Sequence, residues 1–219
     1  MNLASWLVEI ADKYPKNEAL LKGEYCSADY ATFRARSSSI SDYLENVLGL
    51  KKGDRVAIFS ANSTEYLEII YAVWFLGGVV VPINSKLHID EALWIINDSG
   101  SKALFTDKKN MFNGQEYTQL KITVISTTEK SFLKLYSFSS NRSPVKISKN
   151  DLVWLFYTSG TTGSPKGVML SSKNLQAMVE GYLSDVDTVS SSDTSVYAAP
   201  MSHGAGLYNV IFVKLGARH

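Results

Sequence analysis

The residues from Tyr157 to Gly167 have the types and spacing needed to hold a chain of phosphates. The segment reads Tyr-Thr-Ser-Gly-Thr-Thr-Gly-Ser-Pro-Lys-Gly. Its glycines allow backbone N–H groups to converge on an anion, its hydroxyl side chains add hydrogen-bond donors, and Lys166 adds a mobile positive charge. The chemistry that this pattern favours is the binding of a polyphosphate.

The same segment differs from two other phosphate-binding patterns. In the P-loop pattern the lysine opens a helix, whereas Pro165 precedes Lys166 here and the flanking residues predict a loop between two strands. The Gly-x-Gly-x-x-Gly pattern of dinucleotide-binding folds does not occur in the chain. On composition alone, the alternative is an ordinary surface loop rich in glycine, serine and threonine.

His203 is the second candidate for chemistry. It follows a predicted short strand and precedes the small residues Gly204, Ala205 and Gly206, which leave room beside its ring. This arrangement favours a histidine in a pocket wall, and the alternative is a helix-capping or core histidine. His88 is interpreted as a surface or packing residue, because nothing near it suggests ligation.

The elements that must position these residues alternate between strands and helices, which predicts a layered α/β fold with a largely parallel sheet. Ser27 is the predicted cap of the first long helix, and Asn62 the predicted cap of a helix that is apolar on nearly every side. Ser171 or Ser172 is the predicted cap of a helix after the loop. The predicted strands are 55–59, 79–81, 103–106, 122–126, 152–157, 167–170 and 196–199. The predicted helices are 30–47, 66–76, 90–97 and 175–183. The segment 127–150 is predicted to be an irregular surface connection.

Composition and charge limit the classes of function that this chain could have. The chain has 22 basic and 21 acidic residues, so its total charge predicts neither a nucleic-acid partner nor an anionic membrane. The strongly apolar stretch at 69–81 is too short to span a bilayer. Because Cys26 is the single cysteine, no internal disulfide is possible. These features predict a cytoplasmic protein without a transmembrane segment.

From Thr158 to Gly167 the chain matches without a break the signature loop of the adenylate-forming (AMP-binding) superfamily, and it therefore resembles acyl-CoA synthetases and other acid-thiol ligases. Weaker matches fall in the same order at 27–33, 74–84 and 200–206. The resemblance implies that residues 1–219 are the N-terminal portion of the large AMP-binding domain. Its fold would be a largely parallel sheet flanked by helices, plus the start of a second sheet.

The resemblance also implies a reaction. In that superfamily ATP and a carboxylic acid give an acyl-adenylate, and a thiol then displaces AMP; Mg²⁺ shares the phosphate charge. The acceptor here would be coenzyme A or a carrier-protein thiol, and 199–206 looks most like ligases of fatty or similar acyl acids. The residues implied as catalytic are Lys166 and His203, those implied as phosphate-binding are Thr158, Ser159, Gly160, Thr161, Thr162, Gly163 and Lys166, and those implied as substrate-binding are His203, Gly204, Ala205 and Gly206.

Several points stay open in the sequence. Either Thr161 or Thr162 could contact the metal ion. The later motifs of the superfamily and its small C-terminal domain are absent from the 219 residues, so we expect this chain alone to catalyse little or no adenylation. Two other readings are a non-catalytic module that binds a nucleotide or acyl group, and a small kinase, which would form ADP rather than AMP.

Overall fold

A computed structural model describes residues 1–112, 122–138, 142–158 and 165–219. Its centre is a 6-stranded sheet in the order β6-β5-β3-β4-β7-β8, in which all neighbours are parallel except the antiparallel pair β7 and β8. Helices cover both faces, as predicted for a layered α/β fold. The strands are β1 (Glu18–Lys22), β2 (Tyr25–Asp29), β3 (Arg55–Phe59), β4 (Val79–Ile83), β5 (Ala103–Thr106), β6 (Thr123–Ser126), β7 (Leu152–Thr158) and β8 (Lys166–Ser171).

From β2 to β5 the described helices alternate with the strands along the chain. They are α1 (Ala4–Lys13), α2 (Tyr30–Asn46), α3 (Thr64–Phe75), α4 (Ile89–Ser99), α5 (Ser172–Asp185), α6 (Gly204–Leu207) and α7 (Asn209–Leu215), with short 3₁₀ helices at Lys109–Phe112 and Lys130–Ser137. The predicted helices and strands therefore all occur, apart from the strand at 196–199.

Helix α3 fills the space behind β3 and β4. Every residue from Tyr66 to Phe75 is buried, because the helix is apolar on nearly all sides and the sheet, α1 and α2 surround it. The indole Nε1 of Trp74 donates to the carbonyl oxygen of Val153 at 3.0 Å and so links α3 to β7. A Cβ at Gly78 would lie 3.0 Å from the carbonyl oxygen of Asp54, so the turn from α3 into β4 requires a glycine.

Helix α4 packs on the opposite face of the sheet. Its buried residues Ile89, Ala92, Ile95 and Ile96 contact the side chains that β3, β4 and β5 direct to that face. His88, interpreted from the sequence as a surface or packing residue, is exposed and forms the N-terminal capping box of α4 with Glu91.

Two predicted caps are wrong by one or two residues. Ser27 lies inside β2, and the helix cap is Asp29, whose carboxylate accepts from the N–H of Thr32 at 2.8 Å. The cap of α3 is Ser63 rather than Asn62. Asn62 instead donates from its amide to the carbonyl oxygens of Tyr197 and Ala199, at 3.0 and 2.9 Å.

The predicted strand at 196–199 is wrong. Its carbonyl groups accept from a side chain, and strand-like pairing in this region is limited to a parallel bridge between Thr194 and Arg218. His219 exchanges two backbone hydrogen bonds with β1, donating to Ala19 and accepting from Leu21. Together with the hairpin of β1 and β2, these pairings form a second, small region of sheet, where the start of a second sheet was expected.

The connection from β6 to β7 crosses from one edge of the sheet to the far side of β4. It was predicted to be irregular and on the surface, but the 3₁₀ helix Lys130–Ser137 buries Phe132 and Leu135 against the core. Ser39 Oγ on α2 donates to the Leu135 carbonyl oxygen at 2.6 Å, and the N–H of Val145 donates to the Phe75 carbonyl oxygen at 2.8 Å. These two hydrogen bonds attach the segment between β6 and β7 to α2 and to the end of α3.

A buried ion pair lies between α2, α3 and this crossing segment. Glu68 is 1% exposed, and its carboxylate accepts from Arg36 Nη1 at 3.1 Å and from the Tyr136 hydroxyl at 2.5 Å. Removal of the carboxylate from water outweighs these two donors and raises the pKa of Glu68 to about 7. Across the described residues, no helix has the length and apolar character that crossing a membrane would require.

Candidate active site

A cavity of about 360 Å³ lies where β4 and β7 end. Ligands of open α/β sheets bind at the carboxyl ends of the strands, because loops there diverge and leave a crevice. The cavity is bounded by the end of β4, the end of β7, one side of α4 and the turn before α6. Its lining includes Ile83, Asn84, Leu87, Glu91, Ile95, Phe156, Tyr157, Thr158, Pro165, Ser202 and His203.

The predicted phosphate-binding loop joins β7 to β8. The two strands pair in antiparallel register, with Thr158 opposite Lys166 and Tyr157 opposite Gly167. The loop therefore connects two strands, as predicted, and does not open a helix. Thr158 and Lys166 are both exposed at the mouth of this hairpin, and Lys166 forms no ion pair with any residue of the described ranges. The predicted phosphate ligands Ser159, Gly160, Thr161, Thr162 and Gly163 lie outside the described residues.

Tyr157 holds the hairpin against α4. Its hydroxyl donates to Asp98 Oδ2 at 2.6 Å, and its ring meets Trp94 edge-on at 6.1 Å between centroids. Partial burial and, after it, the Asp98 carboxylate raise the pKa of Tyr157, so the phenol stays protonated. A Cβ at Gly167 would lie 3.1 Å from Leu155 and 3.2 Å from the Tyr157 ring, so the glycine lets this ring cross the neighbouring strand.

His203 forms the opposite wall of the cavity. It is half-buried, and its ring meets Phe156 edge-on at 5.8 Å between centroids. Its Nε2 lies 3.2 Å from Asn84 Nδ2 at the end of β4. The structure thus brings Thr158 and His203, which are far apart in sequence, to the same cavity.

The small residues after His203 do not line this cavity. Gly204 is exposed with open space around it, whereas Gly206 is buried and a Cβ there would lie 1.7 Å from the Met201 carbonyl oxygen. Gly206 is therefore required for the close approach of two backbone segments. The substrate-binding role of Gly204, Ala205 and Gly206 stays a prediction.

Sequence reasoning missed two polar residues of the cavity. Ser202 is 3% exposed, and its hydroxyl has no hydrogen-bond partner among the described residues. A buried hydroxyl without a partner is costly, so a polar atom of a bound molecule at this place would be favourable. Asn84 contacts His203 although 119 positions separate them, and the available signals were its place at the end of a buried strand and inside the matched segment 74–84.

A second cavity, about 440 Å³, lies between β1, the start of α3 and residues 194–197. It is larger, but neither the β7–β8 hairpin nor His203 contributes to its lining. The described residues contain no cluster of three or more His, Cys, Asp or Glu side chains that could hold a metal ion. Among the described residues that line the smaller cavity, Glu91 is the one carboxylate that could contact such an ion.

Comparison with known proteins gives a consistent result. The family model described as AMP-binding enzyme matches residues 7–218. A long-chain-fatty-acid–CoA ligase, FadD13, of Mycobacterium tuberculosis is 32% identical over 188 residues, which are 84% of this chain and 37% of that protein. A 2-succinylbenzoate–CoA ligase of Oceanobacillus iheyensis is 33% identical over 174 residues, covering 77% of this chain and 34% of that protein.

Solved structures share the fold. The inhibitor-bound N-terminal domain of FACL13 from Mycobacterium tuberculosis superposes with a TM-score of 0.88 and 27% sequence identity, over 99% of this chain and 56% of that chain. The predicted fold class is confirmed by this likeness. The chain spans only 37% and 34% of the two curated relatives described above.

Proposed function

This chain belongs to the family of AMP-binding enzymes, and we propose that the protein containing it activates a carboxylic acid with ATP and transfers the acyl group to a thiol. Residues 1–219 would form the N-terminal portion of its large AMP-binding domain. Coenzyme A is the proposed acceptor, because the similar proteins are named as CoA ligases; a carrier-protein thiol is the other candidate. The proposed compartment is the cytoplasm, on the ground of the single cysteine.

One observation carries the proposal. The strand-loop-strand hairpin that ends in Lys166 opens beside a cavity whose far wall is His203 and the unsatisfied hydroxyl of Ser202. Phosphates held by the loop and an acid held against His203 would meet at the carboxyl ends of β4 and β7. Polar groups converging on an otherwise apolar cavity are typical of small-molecule sites.

The reaction can be written from these parts. A carboxylate oxygen of the acid attacks the α-phosphorus of ATP, the bond to the β-phosphate oxygen breaks, and acyl-adenylate and pyrophosphate form. A thiolate then attacks the acyl carbon, and AMP leaves with the bonding electrons. The charge that develops on pyrophosphate would be stabilised by the loop and by the residues on either side of it. These residues are Thr158, Ser159, Gly160, Thr161, Thr162, Gly163 and Lys166. Mg²⁺ would share that charge, with Thr161 or Thr162 as a ligand.

The chemistry of the cavity favours an acid with an apolar body. Ile83, Leu87, Ile95 and Phe156 supply apolar surface beside His203. A fatty or similar acyl acid would bury its chain against such surface, with its carboxylate near the polar wall. Gly204, Ala205 and Gly206 do not line this cavity, and their proposed role as substrate-binding residues would concern a part of the acid that extends beyond it.

The experiment uses the longer protein that the proposal implies, in which residues 1–219 form the N-terminal portion of the large domain. We expect AMP and pyrophosphate to form when it is given ATP, Mg²⁺, coenzyme A and a panel of fatty and aryl acids. Lys166→Ala should lower kcat roughly 100- to 1,000-fold, as loss of one preorganised donor does. Lys173→Ala makes the same change at an exposed residue in the first turn of α5, and it should leave kcat unaltered.

Three outcomes would contradict the proposal. Nucleotide binding without AMP formation from any acid would favour the non-catalytic module. ADP as the product would indicate a kinase. Equal losses of ground-state ATP affinity and of kcat/KM in Lys166→Ala would show that the lysine does not act in the transition state. The 219-residue chain alone should show little or no pyrophosphate exchange, and sustained turnover by it would refute that expectation.

A further inference from the structure

The contact between Asn84 and His203 joins two nitrogen atoms, and this restricts where the imidazole proton lies. Asn84 Nδ2 and His203 Nε2 are 3.2 Å apart. An amide nitrogen carries hydrogens and has no lone pair to offer, so it can only donate. His203 Nε2 must then accept, and an accepting imidazole nitrogen carries no proton.

The orientation of the Asn84 amide is fixed by an independent contact. The side-chain Oδ1 of Asn84 accepts from the backbone N–H of Lys86 at 3.0 Å. The backbone carbonyl oxygen of Asn84 accepts from the N–H of Leu87 at 3.0 Å. If the amide were turned over, its NH₂ group would face the N–H of Lys86, donor against donor. The turn after β4 therefore directs Nδ2 towards His203.

We propose that Asn84 is a positioning residue that holds His203 as a neutral imidazole with its proton on Nδ1. Phe156 packs edge-on against the ring and restricts its rotation. Among the described residues none accepts a hydrogen bond from Nδ1, which leaves this donor available to a bound molecule. That last step rests on the proposed function: the acceptor is an oxygen of the carboxylate or of the acyl-adenylate.

This arrangement suits the first half of the reaction. A carboxylate must keep its lone pairs available to attack phosphorus, and a full proton transfer to it would abolish that attack. A neutral N–H donor orients the carboxylate without giving up its proton. Asn84 keeps the ring in this form because only the Nδ1–H tautomer satisfies its amide.

The tautomer can be measured on the 219-residue chain without any activity. In ¹⁵N-resolved NMR of the imidazole at pH 8, His203 should show a protonated Nδ1 and an unprotonated Nε2. Asn84→Asp keeps the oxygen that Lys86 requires but replaces the donor by an acceptor, so it should reverse the tautomer. His88 serves as the internal control in both proteins, and Asn97→Asp makes the same change at an exposed residue of α4.

A protonated Nε2 in the wild-type chain, or the same His203 tautomer in Asn84→Asp, would overturn the inference. A kinetic readout on the longer protein separates positioning from a structural role. Asn84→Ser keeps a hydroxyl for the turn but cannot reach His203, and it should lower kcat roughly tenfold, the rate equivalent of one hydrogen bond, with KM for ATP unaltered.

The two proposals fail separately. If the wild-type longer protein forms no AMP, the proposed function fails while the NMR result still decides the tautomer. If it does form AMP and Asn84→Ser has the wild-type kcat, the positioning role fails while the ligase function stands.

Discussion

The two faces of the 6-stranded sheet are covered very differently. On one face α1, α2, α3 and α7 enclose a core that fully buries Trp74 and Trp154. On the other face α4 packs over a smaller cluster, and Trp94 is 38% exposed. The cavity beside His203 lies at the carboxyl ends of the strands, where Phe156 comes from the packed face and Ile95 and Tyr157 from the thinly covered face. The comparison teaches that the packed face contributes most of the buried core, whereas the candidate chemistry lies at the end of the sheet, where the two faces meet.

The largest expected effect tests this division with the same substitution on each face. Trp74→Ala should lower the free energy of unfolding by about 3–5 kcal/mol, because it opens a cavity and leaves the Val153 carbonyl without its donor. Trp94→Ala should cost about 1 kcal/mol, since its ring is partly exposed and makes one edge contact with Tyr157. Urea denaturation followed by circular dichroism measures both, and equal losses would refute the division.

A smaller effect concerns the ion pair buried on the packed face. Burial raises the pKa of Glu68 from 4.5 to about 7, so between these values the folded chain binds more protons than the unfolded chain. Stability should therefore fall as pH rises through this window, by about 1–3 kcal/mol. Glu68→Gln should remove that fall.

The measurement is urea denaturation of both chains at pH 5 and pH 8. Glu180→Gln, an exposed carboxylate on α5, is the matched control and should keep the pH dependence of the wild type. A Glu68→Gln chain that loses as much stability as the wild type between these pH values would contradict the assignment.

The smallest effect lies at the hairpin on the thinly covered face. Gly167→Ala should destabilise the fold by about 1 kcal/mol, because the added Cβ would lie 3.2 Å from the Tyr157 ring, and this ring, which Asp98 holds in place, would have to shift. Gly181→Ala adds the same methyl group inside α5, where nothing lies within 4 Å, and should stabilise by about 0.5–1 kcal/mol. A lower Tm for Gly167→Ala and a higher Tm for Gly181→Ala in thermal unfolding would support this account. A higher Tm for both variants would contradict it.

The sequence predicted those features that depend on local patterns. Continuous apolar runs identified the inner strands, and Ser171 was one of the two residues named as the cap of α5. The strand-loop-strand setting of Lys166 followed from the apolar residues on either side of the loop.

Features that depend on distant partners could not be predicted in this way. The buried Glu68 is acceptable in an apolar helix only because Arg36 and Tyr136 reach it from other segments. Asn84 and His203 meet because β4 ends beside the turn before α6. Such pairings cannot be predicted from local composition, because they arise from the order of the strands in the sheet.

The crossing of the chain from β6 to β7 has a consequence for the order of folding. β7 pairs with β4 through residues far apart in sequence, Val80 and Trp154, and the intervening chain is fastened to α2 and α3. Contacts of such long range form slowly, because the chain must first pay the entropy of closing the loop. We therefore expect the hairpin that carries Lys166 to dock late, onto strands and helices that have already assembled.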